Sequence, residues 1–325
     1  MWARLKEKRI LVTGGAGFIG SHLVDDLMNR GFNVRIVDNL SNGNAKNLER
    51  WMNSSEFEFV QGDLKDQDIV SKCVDNVEIV FHLAANPDVR IGESNPSTHF
   101  NENLLATFNL LEAMRKSKTA KRIIFASSST VYGEPNKFPT PEDYGPLLPI
   151  SIYGASKMGC ESLISSYCHT FGIKGDILRF ANIVGSRANH GVIIDFVKKL
   201  KQNAAELEIL GDGTQKKSYL HVKDLITAFS VVLENPAKLK PVEIYNVGSF
   251  DQVDVKCIAE IVCEEFSISK PEFRFNRAFK DGRGWKGDVK IMQLSIDKLV
   301  NLGWEPSLKS EDAIRLTCKE LKNSS

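Results

Sequence analysis

The first half of the chain alternates short, continuous apolar runs with stretches of helical periodicity. The helical stretches lie at about 18–28, 66–75 and 98–116, and another carries Lys157. Runs without polar alternation are typical of parallel strands that are buried on both faces. We predict such strands at 9–14, 33–38, 57–63, 78–85, 121–129 and 176–185. Right-handed crossovers between them predict an α/β fold with a doubly wound parallel sheet, the Rossmann topology.

This regularity fades after about residue 186. Helix-like segments follow at 191–203, 222–235 and 254–266, and short strands at 207–210 and 243–248. The segment 279–290 is rich in glycine and basic residues, which predicts a loop. We therefore expect residues 1–185 to form the Rossmann domain, with 222–248 packing back on it. Residues 186–325 then form mainly a smaller, mixed α/β domain.

Composition and charge narrow the class of protein. The net charge of the 325 residues is +1, which argues against a nucleic-acid or membrane-surface partner. No apolar run approaches the roughly 18 residues of a membrane span, and "RILVT" is too short for an export signal. The six cysteines form no C-x-x-C pair and the histidines are scattered. We therefore expect reduced thiols, no metal site and a cytoplasmic location.

A glycine-rich turn follows the first predicted strand and opens a helix in "VTGGAGFIGSH". The stretch 15–20 fits G-x-G-x-x-G, and Gly14, Gly17 and Gly20 fit a shifted G-x-x-G-x-x-G spacing. Glycines in such a turn let the backbone approach a pyrophosphate closely, and the helix N-terminus offers it N–H groups. The strand–turn–helix context favours this interpretation over a turn that is merely rich in glycine.

Two aspartates end the second and third predicted strands. Asp38 lies 18 residues beyond Gly20 (38 minus 20), where a carboxylate can accept both ribose hydroxyls of an adenosine. The same carboxylate repels a 2′-phosphate, which favours NAD over NADP. Asp63 is similarly placed to reach the adenine edge. The alternative at both positions is an ordinary turn at the end of a strand.

A serine, a tyrosine and a lysine follow the fifth predicted strand. Ser128 lies at its carboxyl end, where open parallel sheets bind ligands, and Tyr153 and Lys157 share one helix face. A free tyrosine ionises near pH 10, but a nearby ammonium and a positive nicotinamide lower that pKa. The phenolate can then take a proton from a sugar hydroxyl. The structural alternative is a half-buried tyrosine beside a solvated lysine; the glycine motif favours the chemical interpretation.

The motifs "TGGAGFIGSH", "DNLSNG", "HLAA", "SSSTVYGEP", "YGASK" and "RFANIVG" resemble those of the extended short-chain dehydrogenase/reductase family. Within it, the chain is similar to NAD-dependent nucleotide-sugar epimerases of the UDP-glucose 4-epimerase type. The resemblance is strong over about 9–185 and continues more weakly through "GDGTQKKSYLHVKDL" and "LGWEP". It implies an NAD-binding domain at 1–185, a mainly substrate-binding domain at 186–325, and a homodimer through helices of about 98–116 and 154–170.

The resemblance also implies roles for individual residues. The cofactor residues would be Gly14, Gly17, Phe18, Ile19, Asp38, Asn39, Asp63, Leu64, Leu83, Ala84, Ala85, Asn103, Tyr153 and Lys157. Ser128, Tyr153 and Lys157 would form the catalytic set. The substrate contacts would be Ser128, Asn182, Lys217 and Arg283, with Asn182 holding the sugar diphosphate.

The residues before "VYG" bear on the reaction. Related 4,6-dehydratases carry an Asp-Glu pair there and related decarboxylases carry a Glu, whereas this chain has Ser129 and Thr130. Neither hydroxyl replaces a carboxylate at neutral pH, so we expect epimerisation at C4 of a nucleotide-linked hexose. The alternatives are a dehydratase or reductase on the same scaffold, and a dinucleotide-binding regulator without turnover. The intact Ser-Tyr-Lys set argues against the regulator.

Two departures from the family pattern concern the diphosphate. Many relatives have Arg-Asp in a "Q-x-R-D" segment where this chain has Lys217-Ser218, and Arg in an "R-x-G-D" segment where it has Trp285. Arginine clamps a diphosphate through two parallel hydrogen bonds and lysine does not. Diphosphate binding would then fall to Lys217, Arg283 and Lys286, against the alternative that these are solvated loop charges. The identities of the nucleotide and the sugar stay open.

Overall fold

The computed structural model describes residues 9–236 and 240–323. Its strands, numbered in chain order, are β1 Arg9–Thr13, β2 Asn33–Asp38, β3 Phe57–Gln61, β4 Ile79–His82, β5 Arg122–Ser128, β6 Lys174–Phe180, β7 Asn182–Val184, β8 Glu206–Leu210, β9 Lys216–Lys217, β10 Tyr219–His221, β11 Val242–Val247, β12 Val253–Asp254, β13 Glu272–Asn276 and β14 Ile291–Met292.

Helices connect most of these strands. They are α1 Phe18–Asn29, α2 Gln67–Cys73, α3 Ile91–Ser94, α4 Pro96–His99, α5 Ala106–Lys116, α6 Ile152–Phe171, α7 Val192–Gln202, α8 Val222–Glu234, α9 Val255–Glu265, α10 Asp297–Val300 and α11 Ser310–Asn323. Short 3₁₀ helices span Ala45–Trp51 and Ser129–Tyr132, and a π-helical turn spans Phe100–Leu105.

Seven of the described strands form one sheet in the order β11-β6-β5-β4-β1-β2-β3. Strand β1 pairs in parallel with β2 and β4, β2 pairs in parallel with β3, and β4 with β5. The order reverses between β1 and β4, and ligands of doubly wound sheets bind at such a switch point. The predicted doubly wound parallel sheet is confirmed.

The chain divides into two compact units. The first comprises the described residues up to Ser128 with Ala155–Arg179 and Phe229–Tyr245, and the second comprises Ser129–Gly154, Phe180–Ala228 and the described residues from Asn246. The division runs through α6, so Tyr153 belongs to the second unit and Lys157 to the first.

Strands β1, β2, β4 and β5 of the first unit are mostly buried, as continuous apolar runs predict, whereas the edge strand β3 is partly exposed. Ile10 and Leu11 of β1 have no exposed surface. Leu11 belongs to a core cluster that also contains Leu110 of α5 and Ile164 of α6. Helix and sheet therefore bury each other's apolar faces, which is the main source of stability in such layered domains.

The second unit has its own core and several short strands. Strand β13 pairs in parallel with β8, β10 with β7, and β9 lies between β12 and β14. Its core cluster includes Phe196, Leu207, Ile258 and Ile314. We did not predict β13 from the sequence, although "EFRFN" alternates polar and apolar residues, which is a signal for a half-buried strand.

Two predicted elements differ in detail from the structure. The strand predicted at 176–185 begins earlier and is interrupted at Ala181, whose N–H donates to the carbonyl of Val247 at 2.8 Å. The helix predicted at about 98–116 is three consecutive segments, α4, the π-helical turn and α5. Both differences depend on hydrogen bonds that apolar periodicity does not encode.

In the part of the chain that the structure describes, the helices are too short or too polar to cross a membrane. The same residues contain no group of three or more His, Cys, Asp or Glu side chains arranged to hold a metal ion. All six cysteines are unpaired thiols. Residues 1–8, which precede "RILVT" in the segment predicted to lack an export signal, lie outside the described residues.

Candidate active site

The glycine turn between β1 and α1 is built so that only glycine fits. Gly14 has a φ of +69°, and a Cβ there would lie 2.9 Å from the backbone N and Cα of Ala84. A Cβ on Gly20 would lie 2.1 Å from the carbonyl oxygen of Gly14. The missing side chains leave a backbone surface that a pyrophosphate can approach, as the motif predicts.

The start of α1 provides the charge for such a ligand. Gly17 is the N-cap, and no acidic residue occupies the first turn. The N–H groups of Phe18 and Ile19 have no acceptor within the helix, because the first turn lacks preceding carbonyls. These donors and the positive end of the helix dipole favour an anion. The structure thus brings Gly14, Gly17, Phe18 and Ile19 together around one turn.

Asp38 ends β2 and is 8% exposed. Its carboxylate accepts hydrogen bonds from the N–H of Ala16 at 2.9 Å and of Leu40 at 2.8 Å. Burial raises the pKa of Asp38, although these two hydrogen bonds oppose the change. A carboxylate offers about four acceptor sites, so two are left for ribose hydroxyls. Asp38 therefore shapes the turn and still has capacity for a ligand.

Asn39, Asp63 and Leu64 lie at the carboxyl ends of β2 and β3. The side-chain amide of Asn39 donates to Asp63 at 3.0 Å, and the N–H of Gly62 donates to the carbonyl of Asp38 at 3.0 Å. Burial raises the pKa of Asp63, but hydrogen bonds from the N–H of Lys65 and from Asn39 outweigh it and leave the pKa lowered. Asp63 is thus a carboxylate at neutral pH, next to Asp38 at the sheet edge.

The loop after β4 is held by two residues that we did not identify from the sequence. The hydroxyl of Thr13 accepts hydrogen bonds from the N–H groups of Leu83 at 3.2 Å and Ala84 at 3.1 Å. The same hydroxyl lies 2.8 Å from Nδ1 of His82, whose Nε2 lies 2.9 Å from the hydroxyl of Thr107. Burial, and secondly the charge of Lys157, lower the pKa of His82 to about 3. A neutral histidine therefore fixes Leu83, Ala84 and the following Ala85 beside the glycine turn.

Asn103 lies in the π-helical turn and is 2% exposed. Its side-chain oxygen accepts from the N–H of Asn86 at 2.8 Å, and its amide donates to the hydroxyl of Ser156 at 2.9 Å. Such wide turns occur often at functional sites. Asn103 therefore ties the loop after β4 to α6.

Lys157 is buried, contrary to the alternative of a solvated lysine. It is 3% exposed, and its ammonium donates to the carbonyl of Ala126 at 2.8 Å and lies 4.8 Å from the ring centroid of Phe125. Burial lowers the pKa of Lys157 to about 8, although the nearby Cys160 and Glu161 raise it. Ala126 is two residues before Ser128, the last residue of β5. The ammonium of Lys157 therefore lies at the carboxyl end of β5, which also carries Ser128.

Tyr153 is the second residue of α6 and is half-buried. The helix start is fixed by the N–H of Gly154, which donates to the hydroxyl of Ser151 at 3.1 Å. A Cβ on Gly154 would lie 2.7 Å from the carbonyl oxygen of Thr130. This close approach explains the small residue directly after the tyrosine. Lys157 follows Tyr153 by one turn of the same helix, so both project from one helix face.

Two of the three basic residues expected to hold the diphosphate are paired with carboxylates within the second unit. The ammonium of Lys217 lies 2.6 Å from the buried carboxylate of Asp288 and 5.2 Å from the ring centroid of Trp285. The guanidinium of Arg283 lies 2.7 Å from Glu134 and 2.5 Å from Asp281. These cations are therefore not simply solvated loop charges, which was the alternative.

The remaining predicted residues lie in the same unit. Asn182 begins β7 and donates from its amide to the carbonyl of Ser218 at 3.3 Å. Lys286 is exposed, next to Trp285 in the loop between β13 and β14. Ser218 lies between β9 and β10 and directly follows Lys217. Because the amide of Asn182 bonds to the carbonyl of Ser218, Asn182 and Lys217 are neighbours.

The chain is similar to known proteins over most of its length. Residues 10–248 match the NAD dependent epimerase/dehydratase family. A Methanocaldococcus jannaschii protein, provisionally named as a UDP-glucose 4-epimerase, is 36% identical over 320 residues, which are 97% of this chain and 99% of that protein.

Solved structures of two 4-epimerases are also similar to this chain. A crystal structure of a UDP-galactose 4-epimerase is 42% identical, covers 97% of this chain and 99% of its own, and superposes with a TM-score of 0.86. The Thermus thermophilus UDP-glucose 4-epimerase in complex with NAD is 32% identical, covers 98% and 100%, and has a TM-score of 0.83.

Proposed function

The chain belongs to the NAD-dependent epimerase/dehydratase family, and we propose that it interconverts the C4 epimers of a UDP-linked hexose of the glucose and galactose type. The cofactor is NAD. Its fit rests on the turn at Gly14 and Gly20, where a side chain would collide with the backbone of Ala84 or of Gly14 and would displace the turn that a pyrophosphate would approach. Gly14, Gly17, Phe18, Ile19, Asp38 and Asn39 would hold its adenosine diphosphate half, and Lys157 its nicotinamide ribose.

The observation that carries the proposal is the buried ammonium of Lys157, one turn beyond Tyr153 on α6 and bonded to the strand that ends at Ser128. A buried cation favours the phenolate form of a neighbouring tyrosine. Tyr153 would take the proton from the C4 hydroxyl of the sugar and later return one. Ser128 would orient that hydroxyl. Bound NAD supplies a reversible hydride acceptor for C4.

The transient 4-keto sugar would be reduced again rather than lose water, because this chain lacks the carboxylates that related dehydratases carry before "VYG". Ser129 and Thr130 occupy a 3₁₀ turn directly after Ser128. Hydroxyls there do not provide the acid and base that removal of water requires. We therefore favour epimerisation over dehydration on this scaffold.

Product analysis tests the function. The purified enzyme is incubated with UDP-galactose or UDP-glucose, and the sugars are followed by NMR and mass spectrometry. We expect both substrates to give the same mixture of two C4 epimers with unchanged mass and no lasting absorbance of reduced nicotinamide. Loss of water or accumulation of a keto sugar would instead assign a different reaction to this site.

We further propose that Asn182, Lys217 and Arg283 contact the substrate diphosphate. A charge-assisted hydrogen bond contributes about 1.5–3 kcal/mol, and about 1.4 kcal/mol is tenfold in affinity. Lys217→Met and Arg283→Met should each raise the KM for the nucleotide sugar by about tenfold or more and change kcat little. Lys256→Met, on the exposed face of α9, is the control and should leave KM unchanged. An unchanged KM in both test variants would move the diphosphate site elsewhere, with Lys286 the next residue to test.

A homodimer is proposed through α5, the π-helical turn and α6. Leu104 approaches α6 closely, since a Cβ on Gly159 would lie 3.0 Å from it. Phe100 and Phe108, on the same two segments, are 57% and 38% exposed. Large exposed aromatic side chains on neighbouring turns are typical of an interface.

Light scattering after size exclusion tests the dimer. The wild-type mass should be twice that of one chain, and Phe108→Glu should give a monomer because a charge cannot be buried there without a partner. Met52→Glu, at a residue that is 51% exposed elsewhere in the first unit, is the control. A monomeric wild-type protein would contradict the proposal.

We also propose a cytoplasmic location, because the chain carries six unpaired cysteines, most of them buried. Such thiols persist in a reducing compartment. Cell fractionation with an antibody against the protein tests this, and recovery from an oxidising compartment would contradict it.

A further inference from the structure

A buried ion pair lies one helical turn beyond Lys157. Glu161 of α6 is 6% exposed and Arg179 of β6 is 2% exposed. The guanidinium donates to both carboxylate oxygens, at 3.0 Å from Nε and 2.7 Å from a terminal nitrogen. The hydroxyl of Ser127 donates to the same carboxylate at 2.5 Å. Buried charges are costly unless they are paired in this way, so the arrangement is a defined one.

The pair is joined to the proposed catalytic groups along one face of α6. Tyr153, Lys157 and Glu161 are spaced four residues apart and therefore form one stripe. The same strand meets this stripe at adjacent residues: the carbonyl of Ala126 accepts from Lys157 at 2.8 Å, and the hydroxyl of Ser127 donates to Glu161. The next residue along β5 is Ser128.

We propose that Glu161 is a positioning residue for the reaction: held by Arg179 and Ser127, its carboxylate keeps Lys157 protonated and fixes α6 against the strand end that carries Ser128. The inference rests on the proposed function, since it assigns Glu161 a role through Lys157 and Tyr153. In this role Glu161 would act through Lys157 and not by contact with substrate or cofactor.

The charges around Lys157 support this role. On α6 they are Glu161 and the thiol of Cys160; on β4 and α4 they are His82 and His99, and Arg179 lies behind Glu161 on β6. Burial lowers the pKa of both histidines and raises that of the thiol, which keeps these three groups uncharged near neutral pH. Glu161 is therefore the anion among these groups that opposes the desolvation of the ammonium.

Removal of the carboxylate of Glu161 is expected to lower the pKa of Lys157. Burial lowers the pKa of Lys157 to about 8, and Cys160 and then Glu161 oppose that change. Because burial raises the pKa of the Cys160 thiol and keeps it uncharged near neutral pH, the carboxylate of Glu161 is the anion of the two. Without that carboxylate, Arg179 becomes an uncompensated buried cation and adds repulsion. Lys157 would then lose its proton at a lower pH, and a neutral amine no longer favours the phenolate of Tyr153.

The test compares pH profiles of kcat/KM for the wild-type holoenzyme and Glu161→Gln, which keeps the shape of the side chain and removes its charge. A close opposite charge changes a pKa by about 1–3 units, so we expect the alkaline limb to move at least about one unit to lower pH. With the Lys157 pKa at about 8, a fall of about one unit lowers kcat at pH 7 about twofold and a fall of about two units lowers it about tenfold, whereas bound NAD and KM should change little. An unmoved limb with normal kcat would overturn the proposal.

A matched buried pair separates this role from a general loss of stability. Asp176 of β6 is 1% exposed and lies 2.8 Å from Arg122 of β5, in the same unit. Asp176→Asn should destabilise the fold comparably and leave the alkaline limb in place. Equal movement of the limb in Asp176→Asn would contradict a specific role for Glu161. If Glu161→Gln does not fold, the double variant Glu161→Gln with Arg179→Met removes both charges, and we expect a smaller movement in the same direction.

A measurement without substrate keeps this inference distinct from the proposed function. NMR titration of protein labelled with ε-¹³C-lysine, with Lys157→Met for assignment, follows the ammonium directly. The Lys157 signal should titrate at lower pH in Glu161→Gln than in wild type. Absence of C4 epimerisation by wild type counts against the proposed function, whereas an identical Lys157 titration in both proteins counts against the role of Glu161.

Discussion

Tyr153→Phe is expected to lower kcat for C4 epimerisation by about 10²–10⁴-fold, the usual contribution of a general acid–base group. The substitution removes one oxygen at the start of α6 and keeps the ring, so NAD content and the free energy of unfolding should stay near the wild-type values. The measurement is kcat on UDP-galactose and UDP-glucose, with bound NAD determined after denaturation.

Tyr167→Phe is the matched control on the same helix. The hydroxyl of Tyr167 donates to Glu112 at 2.7 Å, within the first unit and away from Ser128 and Lys157. Its loss should cost about 1 kcal/mol of stability, the usual contribution of a hydrogen bond, and leave kcat unchanged. Near-normal turnover by Tyr153→Phe on a demonstrated substrate would refute the assignment of this tyrosine as the base.

Gly14→Ala is expected to lower the affinity for NAD by at least about tenfold, which corresponds to about 1.4 kcal/mol. Two effects add up. A side chain at a φ of +69° is strained by about 1–2 kcal/mol, and the new Cβ would lie 2.9 Å from the backbone of Ala84, which must move. Because Ala84 flanks the glycine turn, its displacement changes the surface proposed to hold the pyrophosphate. Calorimetric titration with NAD and urea unfolding measure the two effects.

Gly172→Ala separates the strain from the contact. Gly172 has a φ of +71°, but a Cβ there would meet nothing within 4 Å. It should therefore lose a similar 1–2 kcal/mol of stability through backbone strain and bind NAD normally. Equal NAD affinity in both variants would show that the close approach of Ala84 has no bearing on the cofactor.

Local sequence patterns predicted many of the strands and helices. The run "NVRIVD" predicted a strand at 33–38, and β2 has those bounds, because a short run rich in β-branched residues is a local signal for a strand. The helix proposed at 98–116 was wrong in detail, since Asn103 lies in a π-helical turn whose amide bonds to Asn86 and Ser156. Strands of two residues, such as β9 and β14, are too short for any periodicity and depend on pairing partners.

Some features of the site were also predicted from local spacing, and others were not. The spacing of Gly14, Gly17 and Gly20 predicted the turn, and the spacing of Tyr153 and Lys157 predicted one helix face. No sequence pattern indicated that Lys217 would face Asp288, which lies 71 residues away. It also did not reveal that Thr13 and His82 hold the loop after β4, because each contact joins separate strands or loops.

The alternation of strand and helix runs was enough to predict the doubly wound sheet. Spacings within about one or two turns were enough to predict the glycine turn and the alignment of phenol and ammonium on one helix. The burial of Lys157, the pair of Glu161 and Arg179 beside it, and the carboxylates that face Lys217 and Arg283 became visible in the folded chain alone. Desolvation and Coulomb attraction act through space, so residues far apart along the chain set the charge state of the groups that the local pattern had aligned.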